Sequence, residues 1–159
     1  MNIINSSGVL ALSTRLQRLA EQLRKDGALF YKSYGIEFEP KWFPVILTLS
    51  HRPLLSVIEL ATEIGYTHPS TISLLKELEK EKLIRSKKDK TDERKRLLEL
   101  TQKGIELVAT MQPIWKVIES ALDEIASNND NLLRAIDQAE EALVKQSFLQ
   151  RAMALKIKE

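Results

Sequence analysis

Leu12, Leu16, Leu19 and Leu23 recur at spacings of four, three and four, which predicts one stripe of a long amphipathic helix from Val9 to about Tyr34. Gly35 ends it, and Pro40 suits the first position of a second helix reaching about Leu49. His51-Arg52-Pro53 reads as a turn. In "LLSVIELATEIG", Ser56 and Glu59 have capping-box spacing, Leu55 and Leu60 that of a hydrophobic staple, and Gly65 suits the C-terminal cap. A short helix from Ser56 to Ile64 follows. The next stretch, "YTHPSTISLLKELEKEKLI", starts another helix with Thr67 or His68 as N-cap and Pro69 in the first turn. Thr71, Leu74, Leu75 and Leu78 form its buried face.

Two helices joined by a few residues around Gly65 make a helix-turn-helix. Leu83 to Ser86 reads as a strand, and Arg96, Leu98 and Leu100 alternate with Leu97 and Glu99 as its partner. Their connection lacks an Asn-Gly turn, which predicts a long, mobile loop. A hairpin after a helix-turn-helix is a winged helix, so the predicted fold is mainly α (α+β), with a small β-hairpin wing. Thr101 caps a further helix to about Ala126, with a kink expected at Pro113. After polar Ser127 to Asp130, residues 131–156 read as one last helix with Leu132, Ile136, Ala139 and Leu143 on one side.

Charge sharpens the picture. Net charge is +2, but residues 80–96 hold nine basic and four acidic side chains, so this stretch carries +5 and the remainder −3. A basic patch on a near-neutral chain is the electrostatic footprint of a nucleic-acid surface. The chain has 159 residues, 43% of them hydrophobic and 29% charged, in the range of one ordinary domain or a small one with helical extensions. With no cysteine and only His51 and His68, disulfides, thiolate chemistry and a histidine-rich metal site are not expected, and neither is a cofactor. Arg15, Arg18, Glu21, Arg24, Lys25 and Asp26 leave no room for a signal peptide or membrane span in the first thirty residues, which fits a cytoplasmic protein. No nucleophile elbow, phosphate-cradling glycine loop or metal-binding histidine pair is present, so no enzymatic activity is expected.

The segments "ELATEIGYTHPSTISLLKELEKEKLI" and "DERKRLLELTQKG", with Asp92-x-Arg94 followed by Leu100-Thr101-x-x-Gly104, resemble the MarR family of bacterial transcription regulators. Lys82 departs from the pattern, since many relatives have glycine before the first wing strand, at an expected small cost. The resemblance implies a homodimer whose terminal helices interlock while two winged helices hold double-stranded DNA. Residues 1–35 and 102–159 are then dimerisation helices flanking a DNA-binding domain at 36–101. The function implied is that of a sequence-specific, ligand-responsive repressor on a palindromic operator. A helical cap on a monomer is the alternative for the flanking helices. A winged-helix protein-interaction module without specific DNA binding is the alternative for the whole.

Within that frame, the second helix of the motif enters the major groove with Pro69, Ile72, Ser73 and Lys76 outward and His68 and Ser70 near its N-terminus. The serines and Lys76 suit bases or phosphates. Ile72 suits either a thymine methyl or a place under the hairpin. In the wing, Arg94 suits the electronegative minor groove, with Asp92 orienting it. Lys87, Lys88, Lys90, Lys95 and Arg96 suit phosphates. Six of the nine aromatics lie between Phe30 and Phe43. By the resemblance, Tyr31, Tyr34, Phe38, Trp42, Phe43 and Trp115 are candidates to flank a pocket for a small aromatic effector.

Overall fold

The computed structural model describes residues 2–92 and 95–156. They form two units, Met1–Ile114 and Trp115–Glu159. In the first, α1 (Ile3–Ser6) is capped by the Asn2 side chain, a 3-10 turn covers Gly8–Ala11, and α2 spans Leu12–Ser33. The expected stripe is therefore helical from Leu12 rather than Val9, after a left-handed Gly8 (φ 57°). Leu12, Leu16 and Leu23 on it are exposed. A 3-10 turn at Pro40–Trp42 leads into α3 (Phe43–His51).

Next, α4 (Val57–Ile64) starts with the predicted capping box. The Ser56 hydroxyl accepts from the Glu59 backbone N–H, and the Glu59 carboxylate accepts from the Ser56 N–H at 2.8 Å. The Ser56 hydroxyl also donates to the Glu59 carboxylate at 2.6 Å, and this bond, then that from the Ser56 N–H, holds the Glu59 carboxyl below its ordinary pKa. At the other end Gly65 is left-handed (φ 69°), with Tyr66 N–H on Ala61 C=O and Gly65 N–H on Thr62 C=O, a Schellman cap. Thr67 caps α5 (His68–Lys80). Its buried face is Thr71, Leu74, Leu75 and Leu78 as predicted, and Thr71 Oγ1 satisfies itself on Thr67 C=O at 3.0 Å.

The same Schellman pattern closes α5, with Leu83 N–H on Leu78 C=O and Lys82 N–H on Glu79 C=O. Here the left-handed position holds Lys82 (φ 58°). Leu83 and Leu78 are both buried, the apolar contact pair such caps favour. The chain then enters β2 (Ile84–Lys88), which pairs with β3 (Arg96–Leu100) from Ile84↔Leu100 to Lys88↔Arg96. The wing is one strand larger than the sequence suggested: Leu55–Ser56 forms β1, antiparallel to β3, giving the order β1-β3-β2. Two residues are too few to show an alternation.

The junction to α6 (Gln102–Ala126) explains the Leu-Thr-x-x-Gly spacing. Thr101 Oγ1 donates to Lys82 C=O at 2.7 Å and accepts from the Gly104 N–H at 3.1 Å. A Cβ on Gly104 would lie 2.2 Å from the Leu83 carbonyl oxygen, so only glycine lets the helix approach the wing this closely. Core side chains converge here: Val45, Ile46 and Leu49 of α3, Leu60 of α4, the α5 face, Ile84, Leu98 and Met111. Burial of each large apolar side chain contributes roughly 1.5–3 kcal/mol.

In the second unit the expected single helix is two, α7 (Leu132–Lys145) and α8 (Phe148–Lys156). Gln146 is extended (φ −154°, ψ 121°), and Ser147 starts α8 with a reciprocal box: Gln150 N–H on Ser147 Oγ and Ser147 N–H on Gln150 Oε1 at 2.9 Å. The signal was the Ser-x-x-Gln spacing, masked by the apolar periodicity running through it. The helix α6 continues through Pro113.

Candidate nucleic-acid interface

Four apolar or β-branched residues fix one side of α5 in the core, so the opposite side faces out. His68, Pro69, Ser70, Ser73 and Lys76 are exposed there, and Ile72 is half-buried at its margin. Thr67 Oγ1 donates to Ser70 Oγ at 2.9 Å and accepts from the Ser70 N–H at 3.4 Å, so the N-cap holds Ser70 in place while leaving the Ser70 hydroxyl hydrogen available. The first-turn N–H groups and the helix dipole favour an anion at this end.

The wing is a basic ladder around a half-buried counter-charge, Glu99. Glu99 accepts from Arg85 Nε at 2.7 Å and from Lys87 Nζ at 2.7 Å, and its side chain is only 14% exposed. The hydrogen bond from Lys87, then that from Arg85, holds the Glu99 carboxyl below the ordinary carboxylate range. Arg96 Nη2 donates to Ser86 Oγ at 2.6 Å. Two of the expected phosphate-contacting cations, Lys87 and Arg96, are thus oriented within the sheet, while Lys88, Lys90 and Lys95 are exposed.

The turn between the strands is organised by Asp89. Its carboxylate accepts from the Thr91 N–H and Oγ1, both at 2.8 Å, and its own N–H donates to Lys95 C=O at 3.0 Å. The Thr91 backbone bond, followed by the Thr91 hydroxyl, lowers the Asp89 carboxyl. Lys95 N–H donates to Asp92 C=O at 2.9 Å. Arg94 lies outside the described residues, so its expected pairing with Asp92 is not described. Glu99, Ser86 and Asp89 were missed by sequence reasoning. The strand register pairs Arg85 with Glu99, but that register follows only once the loop length is known.

The aromatic candidates divide. Tyr31, Phe38 and Trp42 are buried in the first unit as successive edge-to-face pairs, Tyr31–Phe38 at 5.0 Å and Phe38–Trp42 at 5.7 Å. Tyr34 is exposed, edge-on to Phe30 at 5.3 Å, and Phe43 is half-buried. Trp115 belongs to the second unit. Trp42 is the one of the six that lines a described cavity, a pocket of about 350 Å³ with Ile36, Leu83 and Leu107 as apolar wall and Glu37 and Lys103 among its charged groups. A second groove of about 530 Å³ runs beside α5, lined by Arg24, Lys41, Thr67, Ser70, Ser73 and Glu77 among others. Among the described residues no three His, Cys, Asp or Glu side chains cluster to hold a metal, and no helix is long and apolar enough to cross a membrane.

Helix-turn-helix, basic three-stranded wing and long flanking helices define a winged helix protein. Residues 34–95 match the model of the MarR family. Comparison with curated proteins found no match. Among solved structures, the transcriptional repressor CouR bound to a 23-mer DNA duplex is 25% identical, with a TM-score of 0.70 over 85% of this chain and 94% of CouR. MepR of S. aureus, solved as a DNA complex, is 21% identical with a TM-score of 0.66 over 82% of this chain and 95% of MepR. BpsR of Bordetella bronchiseptica, whose DNA binding is regulated by 6-hydroxynicotinic acid, is 19% identical with a TM-score of 0.64, over 82% of this chain and 91% of BpsR. A MarR family transcriptional regulator from Silicibacter pomeroyi is also similar, at 22% identity with a TM-score of 0.60 over 89% of this chain and 92% of that one.

Proposed function

We propose that this protein is a DNA-binding transcriptional repressor that holds a palindromic operator as a homodimer and releases it on binding a small aromatic effector. The observation that carries the reading is α5: one face locked in the core, the other presenting His68, Pro69, Ser70, Ser73 and Lys76 beside a basic wing. In this arrangement the N-terminal half of α5 reads base edges in the major groove, with Ile72 at its apolar margin. Lys88, Lys90, Lys95, Lys87 and Arg96 meet phosphates, and Arg94, with Asp92 beside it in sequence, enters the minor groove. That CouR and MepR carry the same fold in their DNA complexes supports it. The dimer is supported by exposed apolar residues on helices of both units, Leu12 (58% exposed), Leu16 and Leu29 on α2 and Leu143 and Val144 on α7. Effector control is supported by BpsR and by the 350 Å³ pocket against Trp42, a size that suits a small ligand. Residues 36–101 act as the DNA-binding domain, flanked by dimerisation helices in 1–35 and 102–159.

Fluorescence anisotropy against duplexes selected from a random pool tests the reading. The expected result is a marked preference over shuffled DNA, a steep fall in affinity with salt, and a shallower salt slope, by about one per lost phosphate contact, for Lys88→Ala. Equal affinity for selected and shuffled DNA would favour a protein-interaction module instead.

A further inference from the structure

The C-terminal half of α5 carries an acid where a DNA-facing helix has reason to avoid one. Glu77 follows Ser73 by one helical turn, and its carboxylate lines the groove that also holds Ser70 and Ser73. It accepts from the Lys41 ammonium at 2.8 and 3.1 Å and from the Trp42 indole N–H at 3.0 Å. Trp42 is 8% exposed, and a buried indole N–H needs an acceptor. The Trp42 ring is edge-on to Phe38, and Phe38 is edge-on to Tyr31 of α2. A continuous set of contacts therefore joins α2 to the candidate recognition helix, and Glu77 is its polar end. Both of its partners are 35 or 36 positions away in sequence, so the tie fixes α5 against a separate element.

We propose that Glu77 is a positioning residue for DNA recognition: through Trp42 and Lys41 it sets the orientation in which α5 presents Ser70, Ser73 and Lys76. This rests on the DNA-binding reading above and adds a determinant of specificity that touches no DNA. The sign of the effect separates it from simple electrostatics. Removing a negative charge near a phosphate backbone strengthens binding to any sequence. Loss of a positioning contact weakens binding to the preferred sequence alone, because misplacement affects base readout and leaves the phosphate attraction intact.

The test measures affinity for the selected duplex and for a shuffled duplex of equal length, with the folded fraction of each variant fixed by circular dichroism. Glu77→Ala is expected to lower the selected-to-shuffled ratio at least tenfold, with shuffled-duplex affinity unchanged or raised. Glu77→Gln, which still accepts from the Trp42 N–H, retains most of the ratio. Trp42→Phe, which keeps a ring but loses the N–H, lowers it, and the double variant Trp42→Phe/Glu77→Ala is no worse than Glu77→Ala. An unchanged ratio in folded Glu77→Ala, or a parallel rise in both affinities, overturns the inference while leaving DNA binding standing. A wild-type protein that does not discriminate overturns the DNA-recognition reading and this inference with it.

Discussion

Lys82 and Gly104 occupy the two backbone positions where the wing and α6 leave least freedom. Lys82 sits at φ 58°, in the C′ position of the cap that ends α5, where glycine carries no Cβ penalty. The left-handed conformation costs a side-chain-bearing residue about 1–2 kcal/mol, and the greater chain entropy of glycine offsets about half of that. Lys82→Gly is therefore expected to stabilise the protein by roughly 0.5–1 kcal/mol, read as a higher urea midpoint at unchanged slope. Gly104 behaves in the opposite way. Its missing Cβ makes room for the Leu83 carbonyl, and backbone on both sides cannot yield as a flexible side chain would. Gly104→Ala is expected to destabilise by about 2 kcal/mol or more, lowering the midpoint in the same assay. A neutral Gly104→Ala would mean that Thr101 does not hold α6 against the wing.

At the level of elements, the wing is arranged around Glu99, whose two cationic partners are themselves largely exposed. Its carboxyl is lowered in the folded state, so the pair stabilises above the ordinary glutamate value, near 4.3, and that contribution fades as pH falls through the lowered one. Glu99→Gln should cost about 0.5 kcal/mol at pH 7, with the gap to wild type closing as pH falls through the lowered value. Urea titrations from pH 7 into the acid range check this, and a gap that stays constant as pH falls contradicts it. The elements legible in the sequence are those set by neighbours a few residues apart: the Ser56–Glu59 box, the Gly65 cap and the buried stripe of α5. The ones that were not depend on distant partners. Leu55–Ser56 is a strand only because Leu97 and Leu98 lie opposite it. Glu77 looks like any helix-surface acid until Trp42 is brought beside it. The break at Gln146 is the exception, since the Ser147–Gln150 box is local and was outweighed by apolar periodicity.

For the whole molecule, the apolar side chains of α2 decide whether the proposed pairing of chains holds. Leu16 is 46% exposed and lies one turn from Leu12, which is 58% exposed. A stripe of this kind buried against a second copy loses its driving force when a charge is inserted. Leu16→Asp is expected to weaken the dimer at least tenfold in sedimentation equilibrium without lowering helix content. An unchanged association constant would place the contact elsewhere or favour a monomer.

The central claim is that two copies of α5 read one duplex in successive major grooves, and hydroxyl-radical footprinting of the selected duplex tests it most directly. The predicted result is two protected half-sites related by a dyad, with centres about 10 bp apart, one helical turn. A single protected site, or uniform protection without a dyad, would contradict it.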